Sequence, residues 1–176
     1  MSTRRPVSAT LLSLAVVLLL AATGCGPGGS SHDQGDPDAQ AGAVRDGSDL
    51  LLGVARKHVQ GGEHMVWAAS WQDCSASFGH QVTYGSVASF AIDGADGADG
   101  ADADLLTAVE SAARRAGWST SSRSGTSLEL ERRGLHATVV SGAAGVSINV
   151  GTGCLDVSGD TARRLLAESV VHGHGA

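Results

Sequence analysis

Lysine and aromatic residues are scarce in this chain. Among its 176 residues lysine occurs once, as Lys57, and aromatic side chains make up 3%. The formal net charge is −6, with no run of basic residues. Proteins that bind nucleic acid use basic patches and aromatic rings that stack on bases. The composition therefore argues against nucleic acid as a partner, and it leaves the core to Ala, Val, Leu and Ile.

Signatures of familiar catalytic machinery are also absent from the sequence. It contains no Gly-x-Ser-x-Gly elbow, no Ser-x-x-Lys, no His-Glu-x-x-His and no Gly-x-x-x-x-Gly-Lys loop. Such motifs place a nucleophile, metal ligands or a phosphate-binding backbone at a fixed spacing. We therefore expect a protein that is not an enzyme, with no catalytic residue, no cofactor and no metal. An unrecognised hydrolase is the remaining enzymatic alternative.

The N-terminal region has the order of an export signal. Arg4 and Arg5 precede an uncharged apolar run from Val7 to Ala22. A bilayer span takes about 20 apolar residues, and a shorter run followed by small residues is typical of a secretory signal. A permanent transmembrane anchor is the alternative.

The end of this run, Ala22-Thr23-Gly24-Cys25, resembles the lipobox of bacterial lipoproteins. The resemblance implies that residues 1–24 are a signal peptide removed before Cys25, and that Cys25 carries a diacylglyceryl group and acyl chains such as palmitate. Two acyl chains hold a protein stably on a bilayer, whereas one is marginal. The resemblance thus implies a lipid-anchored protein on the extracytoplasmic face of the cell membrane, with the lipid bilayer itself as a partner.

Residues 26–47 are rich in Gly, Ser, Asp and Pro and contain almost no large apolar side chain. This composition is typical of a flexible tether. We expect lipidated Cys25 and the tether to occupy residues 25–47, followed by a single domain over residues 48–176.

The hydrophobic periodicity of residues 48–176 predicts an α+β domain. The predicted helices are Ser48–Gln60, a helix capped by Asp104 and reaching Ala116, and a helix from Asp160 that buries Ala162, Leu165, Leu166 and Val170; the predicted strands are His64–Asp73, Gln81–Ile92, Leu128–Glu131, Leu135–Val139 and Val146–Val150. The last three strands are apolar on one side only. We therefore expect a two-layer fold, with an antiparallel sheet of about five to six strands and helices on one face.

The segment from Leu105 to Cys154 resembles small lipoproteins of actinobacteria. The matching features are Gly117-Trp118 after a helix, the strands between Leu128 and Val150, and Cys154 just past the last strand. That group has no known activity. The resemblance implies a fold and a compartment, and no mechanism.

Cys74 and Cys154 are the two cysteines that remain once Cys25 carries lipid. Exported domains meet an oxidising environment in which leftover cysteines most often pair, and a metal or redox pair lacks support because the spacing is long. We predict a Cys74–Cys154 disulfide with Cα atoms within about 7 Å.

Trp67 and Trp71 fall on one face of the first predicted strand and form a possible stacking platform for a sugar or an aromatic ligand. Packing beneath a helix is the alternative. We expect His172 and His174 to lie in a frayed C-terminus and not to form a metal site.

Five aspartates lie from Asp93 to Asp104, and carboxylates are the ligands of calcium sites. Most recur at every third residue, and no Glu closes the loop as in an EF-hand. We expect a solvated linker there.

Together these features predict a non-catalytic binding or interaction module of the cell envelope. Its partner would be an envelope protein, a wall polymer or a small ligand. An accessory or regulatory subunit of a membrane complex is the alternative.

Overall fold

Three helices and eight strands make up the described part of the chain. The computed structural model describes residues 36–58, 65–75, 79–90, 101–142, 145–168 and 170–175. The helices are α1 (Pro37–His58), α2 (Ala101–Arg115) and α3 (Gly159–Leu166); the strands are β1 (Met65–Asp73), β2 (Gln81–Phe90), β3 (Ser119–Arg123), β4 (Ser127–Arg132), β5 (Leu135–Gly142), β6 (Gly145–Thr152), β7 (Leu155–Asp156) and β8 (Val171–Gly175).

The strands form one open antiparallel sheet. Its order is β3-β4-β5-β6-β2-β1-β8, and the short β7 pairs with the start of β2 outside this path. This confirms the predicted α+β class and the antiparallel sheet. The predicted number of strands is too low, because β3, β7 and β8 are short and carry too few apolar residues to show alternation.

The helices cover one face of this sheet. α1 packs on β2 and β6, α2 on β3 to β5, and α3 mainly on β1. The strand side chains buried beneath them alternate along each strand, as one-sided burial requires. The apolar ones are Ala69, Trp71, Val82, Tyr84, Ala88, Phe90, Leu128, Leu130, Leu135, Ala137, Val139, Val146, Ile148 and Val150.

Helix α1 begins at Pro37, eleven residues before the predicted start, so the prediction of a tether extending to residue 47 is wrong. Asp36 caps the helix, since its Oδ1 accepts from the Asp38 amide at 3.1 Å, and proline suits the first helical position. Ala41, Val44 and Gly47 lie buried at helical spacing. Residues 37–47 therefore belong to the folded domain.

The C-terminal region also departs from prediction. Helix α3 ends at Leu166, and β8 then pairs antiparallel with β1. Ala162 and Leu165 are buried as predicted, but Leu166 and Val170 are 40% and 46% exposed. Because the helix stops before Val170 and the chain turns back to the sheet, these two side chains miss the core.

Helix α2 starts three residues before Asp104, which lies inside its first turn instead of capping it. No helix within the described residues is long and apolar enough to cross a membrane. The predicted signal peptide, Cys25 and the linker aspartates Asp93 to Asp99 fall outside the described residues.

Candidate functional site

Cys74 and Cys154 form a disulfide, as the sequence predicts. Their Cα atoms are 6.2 Å apart, and the bond spans 80 residues of sequence. Cys74 follows β1 and Cys154 lies between β6 and β7, so the bond fastens the end of the sheet where β1, β2 and β7 meet. Cys154 is exposed, and the bond is therefore open to solvent at this end.

The residue before this disulfide, Asp73, accepts a hydrogen bond at 2.8 Å from the Ser75 amide. The hydrogen bonds from Ser75 lower the pKa of Asp73, because they stabilise the charged carboxylate.

The two tryptophans of β1 have different surroundings. Trp71 is 7% exposed and packs against Tyr84, with ring centroids 5.0 Å apart, so its ring offers no open stacking face. Trp67 is half-buried, and its Nε1 donates to Ser86 Oγ at 3.1 Å. Ligand stacking on Trp67 stays a prediction.

A small polar network ties α1 to the sheet beside Trp67. The buried Ser48 Oγ lies 2.9 Å from both the Val44 carbonyl oxygen and Ser86 Oγ. These two partners meet the hydrogen-bonding needs of the buried hydroxyl. Ser48 was not identified from the sequence. The network positions α1 on β2 and places no reactive group at the surface.

The two histidines of β8 lie at positions opposite β1, His172 against Ala68 and His174 against Val66. The backbone there is a paired strand, so the prediction of a frayed C-terminus is wrong for Val171–Gly175. Among the described residues, no group of three or more His, Cys, Asp or Glu is placed to hold a metal ion.

A cleft of about 220 Å³ opens between the start of α1 and the turn that joins β4 to β5. The α1 side contributes Ala39, Gln40, Ala43 and Asp46, and the turn contributes Arg132, Arg133 and Leu135. We call this the α1 cleft. Two arginines and one aspartate therefore line one small opening.

The turn beside the α1 cleft is a two-residue hairpin loop closed by the Arg132–Leu135 pair. Arg133 has φ +47° and Gly134 φ +79°, as a type I′ turn requires. Glycine or asparagine is usual at both positions, and a non-glycine residue in the left-handed region costs about 1 kcal/mol or more. The Arg132 guanidinium lies over the Trp118 ring, 6.0 Å from its centroid.

The face of the sheet opposite the helices carries three exposed valines, small side chains along β2 and β6, and the exposed His136 on β5. Val66, Val87 and Val140 are 56%, 47% and 41% exposed. We call this surface, which runs across β1, β2, β6 and β5, the open face. Along β2 and β6 the open face has no large side chains. Val87 lies opposite Asn149 there, and Gly85 lies opposite Gly151.

Glu110 is a buried carboxylate with three donors around it. Its Oε1 accepts from Arg114 at 2.6 Å and from Thr120 Oγ1 at 2.8 Å, and its Oε2 pairs with Arg123. The pKa of Glu110 is lowered, chiefly by the Thr120 hydrogen bond; burial opposes this shift, and Arg123 and Arg114 lower the pKa further. The network fastens edge strand β3 to α2, and sequence reasoning missed it because an isolated Glu in a helix carries no pattern.

Comparisons with known sequences find no relative: no family model matches the chain, and no curated protein does either. Among solved structures, one match is the crystal structure of the "putative lipoprotein LppA" from Mycobacterium tuberculosis. The two are 9% identical with a TM-score of 0.40, over 78% of this chain and 85% of that one. A likeness this low assigns neither family nor function.

We expect Glu110→Gln to reduce the free energy of unfolding by about 1 to 2 kcal/mol at pH 7, because the hydrogen bonds from both arginines lose their charged acceptor. The folded pKa of Glu110 lies below its ordinary value of 4.5. Its stabilising contribution is therefore complete above the ordinary value and is lost as the pH falls through the folded pKa. Urea unfolding of the unchanged chain and of Glu110→Gln at pH 7 and at pH 3 measures the loss of unfolding free energy at each pH.

The exposed Glu129 on β4 provides the matched control. Glu129→Gln is expected to change stability by less than about 0.5 kcal/mol at either pH. An equal loss for Glu110→Gln at pH 7 and pH 3 would contradict the role of the charge.

Proposed function

We propose that this protein is an exported lipoprotein, anchored through acylated Cys25 to the extracytoplasmic face of the cell membrane. Its domain, which begins at Asp36, is a non-catalytic binding or interaction module of the cell envelope. Cys25 and residues 1–24 enter this proposal from the sequence, through the resemblance of Ala22-Thr23-Gly24-Cys25 to a lipobox.

The observation that carries the proposal is the Cys74–Cys154 disulfide. The chain has three cysteines, and this bond uses the two that lie in the domain. Cys25 is therefore the one cysteine left over, at the position where the lipobox pattern requires it. A solvent-exposed disulfide also fits an oxidising compartment, because reducing compartments keep accessible thiols reduced.

The binding role rests on the open face. Val66, Val87 and Val140 stand exposed on it among small side chains, which suits a broad contact with a protein or a polymer. An accessory subunit of a membrane complex is the second candidate. The same feature favours it, because a flat surface along β2 and β6 suits a protein partner better than a small ligand, which needs an enclosed pocket.

Cys25→Ser is expected to abolish acylation. Cells that express the full chain are grown with labelled fatty acid, and the label is followed on the protein in membrane and soluble fractions. The unchanged chain should carry the label in the membrane fraction, whereas the variant should carry none and remain an unprocessed precursor. Cys74→Ser is the control, since it removes a cysteine outside the lipobox and should keep the label. Equal labelling of Cys25→Ser would refute the anchor.

The same membranes test the binding role. After chemical crosslinking, Val87→Glu on the open face should lose a crosslinked species that the unchanged chain forms, because it places a charge in the contact. Leu166→Glu is the matched control, as Leu166 is 40% exposed on α3, on the other side of the sheet. Loss of the species with both variants, or with neither, would contradict binding through the open face.

A further inference from the structure

We propose that the α1 cleft binds the zwitterionic head group of a phospholipid, a phosphate joined to a primary ammonium as in ethanolamine lipids. This inference rests on the proposed function, because lipid anchoring at Cys25 is what brings the cleft to a bilayer.

Two arginines supply the phosphate side. Arg133 is exposed at the tip of the β4–β5 turn, and within the described residues its side chain makes no hydrogen bond or ion pair. Arg132 also lines the cleft, and its guanidinium lies over the Trp118 ring. Guanidinium groups bind phosphate through paired N–H donors, so we assign the phosphate to these two side chains.

Asp46 supplies the ammonium side. It lines the cleft from α1, and it is exposed. In the part of the chain that the structure describes, its carboxylate forms no ion pair with Arg132 or Arg133, although all three line the same opening. The opposite charges therefore do not neutralise one another, and a ligand that carries both charges can contact both sides.

The size of the cleft limits the ligand. A volume of about 220 Å³ lies below the roughly 300 Å³ at which pockets for drug-sized ligands begin, so the cleft suits a small head group. The methyl groups of Ala39 and Ala43 give the methylene carbons of a head group an apolar wall.

The position of the cleft selects a lipid as the source. Ala39 and Gln40, in the first turn of α1, line it. Twelve residue steps separate Cys25 from Pro37, so the start of α1 is the part of the domain nearest in sequence to the proposed anchor. For this reason we take a bilayer head group as the ligand of a cleft that the first turn of α1 lines.

Charge then distinguishes among lipids. Asp36 and Asp38 lie at the start of α1, and the chain as a whole is acidic. An acidic surface is repelled by anionic head groups. An ethanolamine head group avoids this repulsion and donates N–H groups to Asp46, whereas the quaternary ammonium of choline has no N–H to donate.

Calorimetric titration of the membrane-extracted protein in a maltoside detergent tests the site. The probe is glycerophosphoethanolamine, which is the head group without acyl chains. Arg133→Ala should weaken its binding about tenfold or more, because a charged hydrogen-bonded contact is lost. Asp46→Asn should remove the preference for glycerophosphoethanolamine over glycerophosphocholine.

Two exposed residues outside the cleft serve as matched controls, Arg115→Ala on α2 and Asp49→Asn on α1. Both should bind the probe as the unchanged chain does. Far-ultraviolet circular dichroism of each variant separates lost binding from lost folding. Equal binding by Arg133→Ala and the unchanged chain, or no binding by the unchanged chain, would overturn the proposal.

Further arms identify the source of the ligand. Glycine, a zwitterion with a carboxylate, tests for a free amino acid, and inorganic phosphate tests for a free anion. Tighter binding of either one than of glycerophosphoethanolamine would overturn the head-group assignment. In the same titration, glycerophosphoglycerol, the head group of an anionic lipid, should bind more weakly than glycerophosphoethanolamine, and the reverse order would also overturn the assignment.

The titration does not depend on acylation of Cys25. Probe binding together with no label on the unchanged chain, or with equal label on Cys25→Ser, would refute the anchor alone. Intact labelling with no probe binding would refute the head-group site alone.

Discussion

Cys74→Ser is expected to lower the free energy of unfolding by about 2 to 5 kcal/mol. The bond closes a loop of 80 residues, for which the chain-entropy relation gives about 4.5 kcal/mol of destabilisation of the unfolded chain. Stabilities of single domains are themselves about 5 to 15 kcal/mol, so the variant loses a large share of its folded population. Urea unfolding followed by tryptophan fluorescence gives the difference.

The remaining cysteine variants make this test specific. Cys154→Ser should cost the same amount, and the double variant little more than either single one, because one bond is lost in each case. Cys25→Ser is the control, since it removes a cysteine outside the domain and should leave unfolding unchanged. Two free thiols in the unreduced, unfolded chain would contradict the bond.

Val44→Asp is expected to destabilise the domain by about 3 to 5 kcal/mol. Val44 is fully buried in α1, within the segment that composition alone assigns to a tether. The change removes an apolar contact and places an unpaired carboxylate where water does not reach. Thermal and urea unfolding of the variant measure the loss.

Gly53→Asp, on the exposed side of the same helix, is the matched control. No atom lies within 4 Å of a Cβ at Gly53, and glycine and aspartate have similar helix propensities, so this variant should stay within about 0.5 kcal/mol. An unchanged free energy of unfolding for Val44→Asp would mean that residues 37–47 do not pack on the domain.

The sequence predicts the elements whose apolar residues follow a clear period. Strands β4, β5 and β6 alternate strictly, and their predicted faces are the buried faces of the structure. Such strands are predictable because burial of one face alone forces alternation with a period of two residues. The disulfide is predictable for a different reason. In an oxidising compartment cysteines tend to pair, and only two cysteines remain once Cys25 is assigned to the lipid.

Helix α1 is harder to predict because glycine hides its period. Gly47 lies at the point where a Cβ would come within 3.0 Å of the Trp118 ring, so a small residue serves the close packing of this helix. Glycine counted only as a sign of flexibility assigns this segment to the tether. The cap at Asp36 and the proline after it are the local signals that mark the true start.

The α1 cleft and the Glu110 network depend on contacts between distant segments. Asp46 and Arg133 are 87 positions apart, and no spacing rule joins them. Glu110 meets Arg123 only because edge strand β3 follows α2 back along the sheet. Pairings of this kind arise from tertiary packing, and a single sequence carries no periodic trace of them.

Strand β8 has a consequence for the order in which the domain forms. It pairs with β1, so that Met65 faces Gly175 across 110 positions of the chain. A chain synthesised only as far as α3 lacks this strand, and one edge of β1 then stays unpaired. That edge closes only after the segments from β2 to α3 have been made, and contacts between positions so far apart in sequence form slowly.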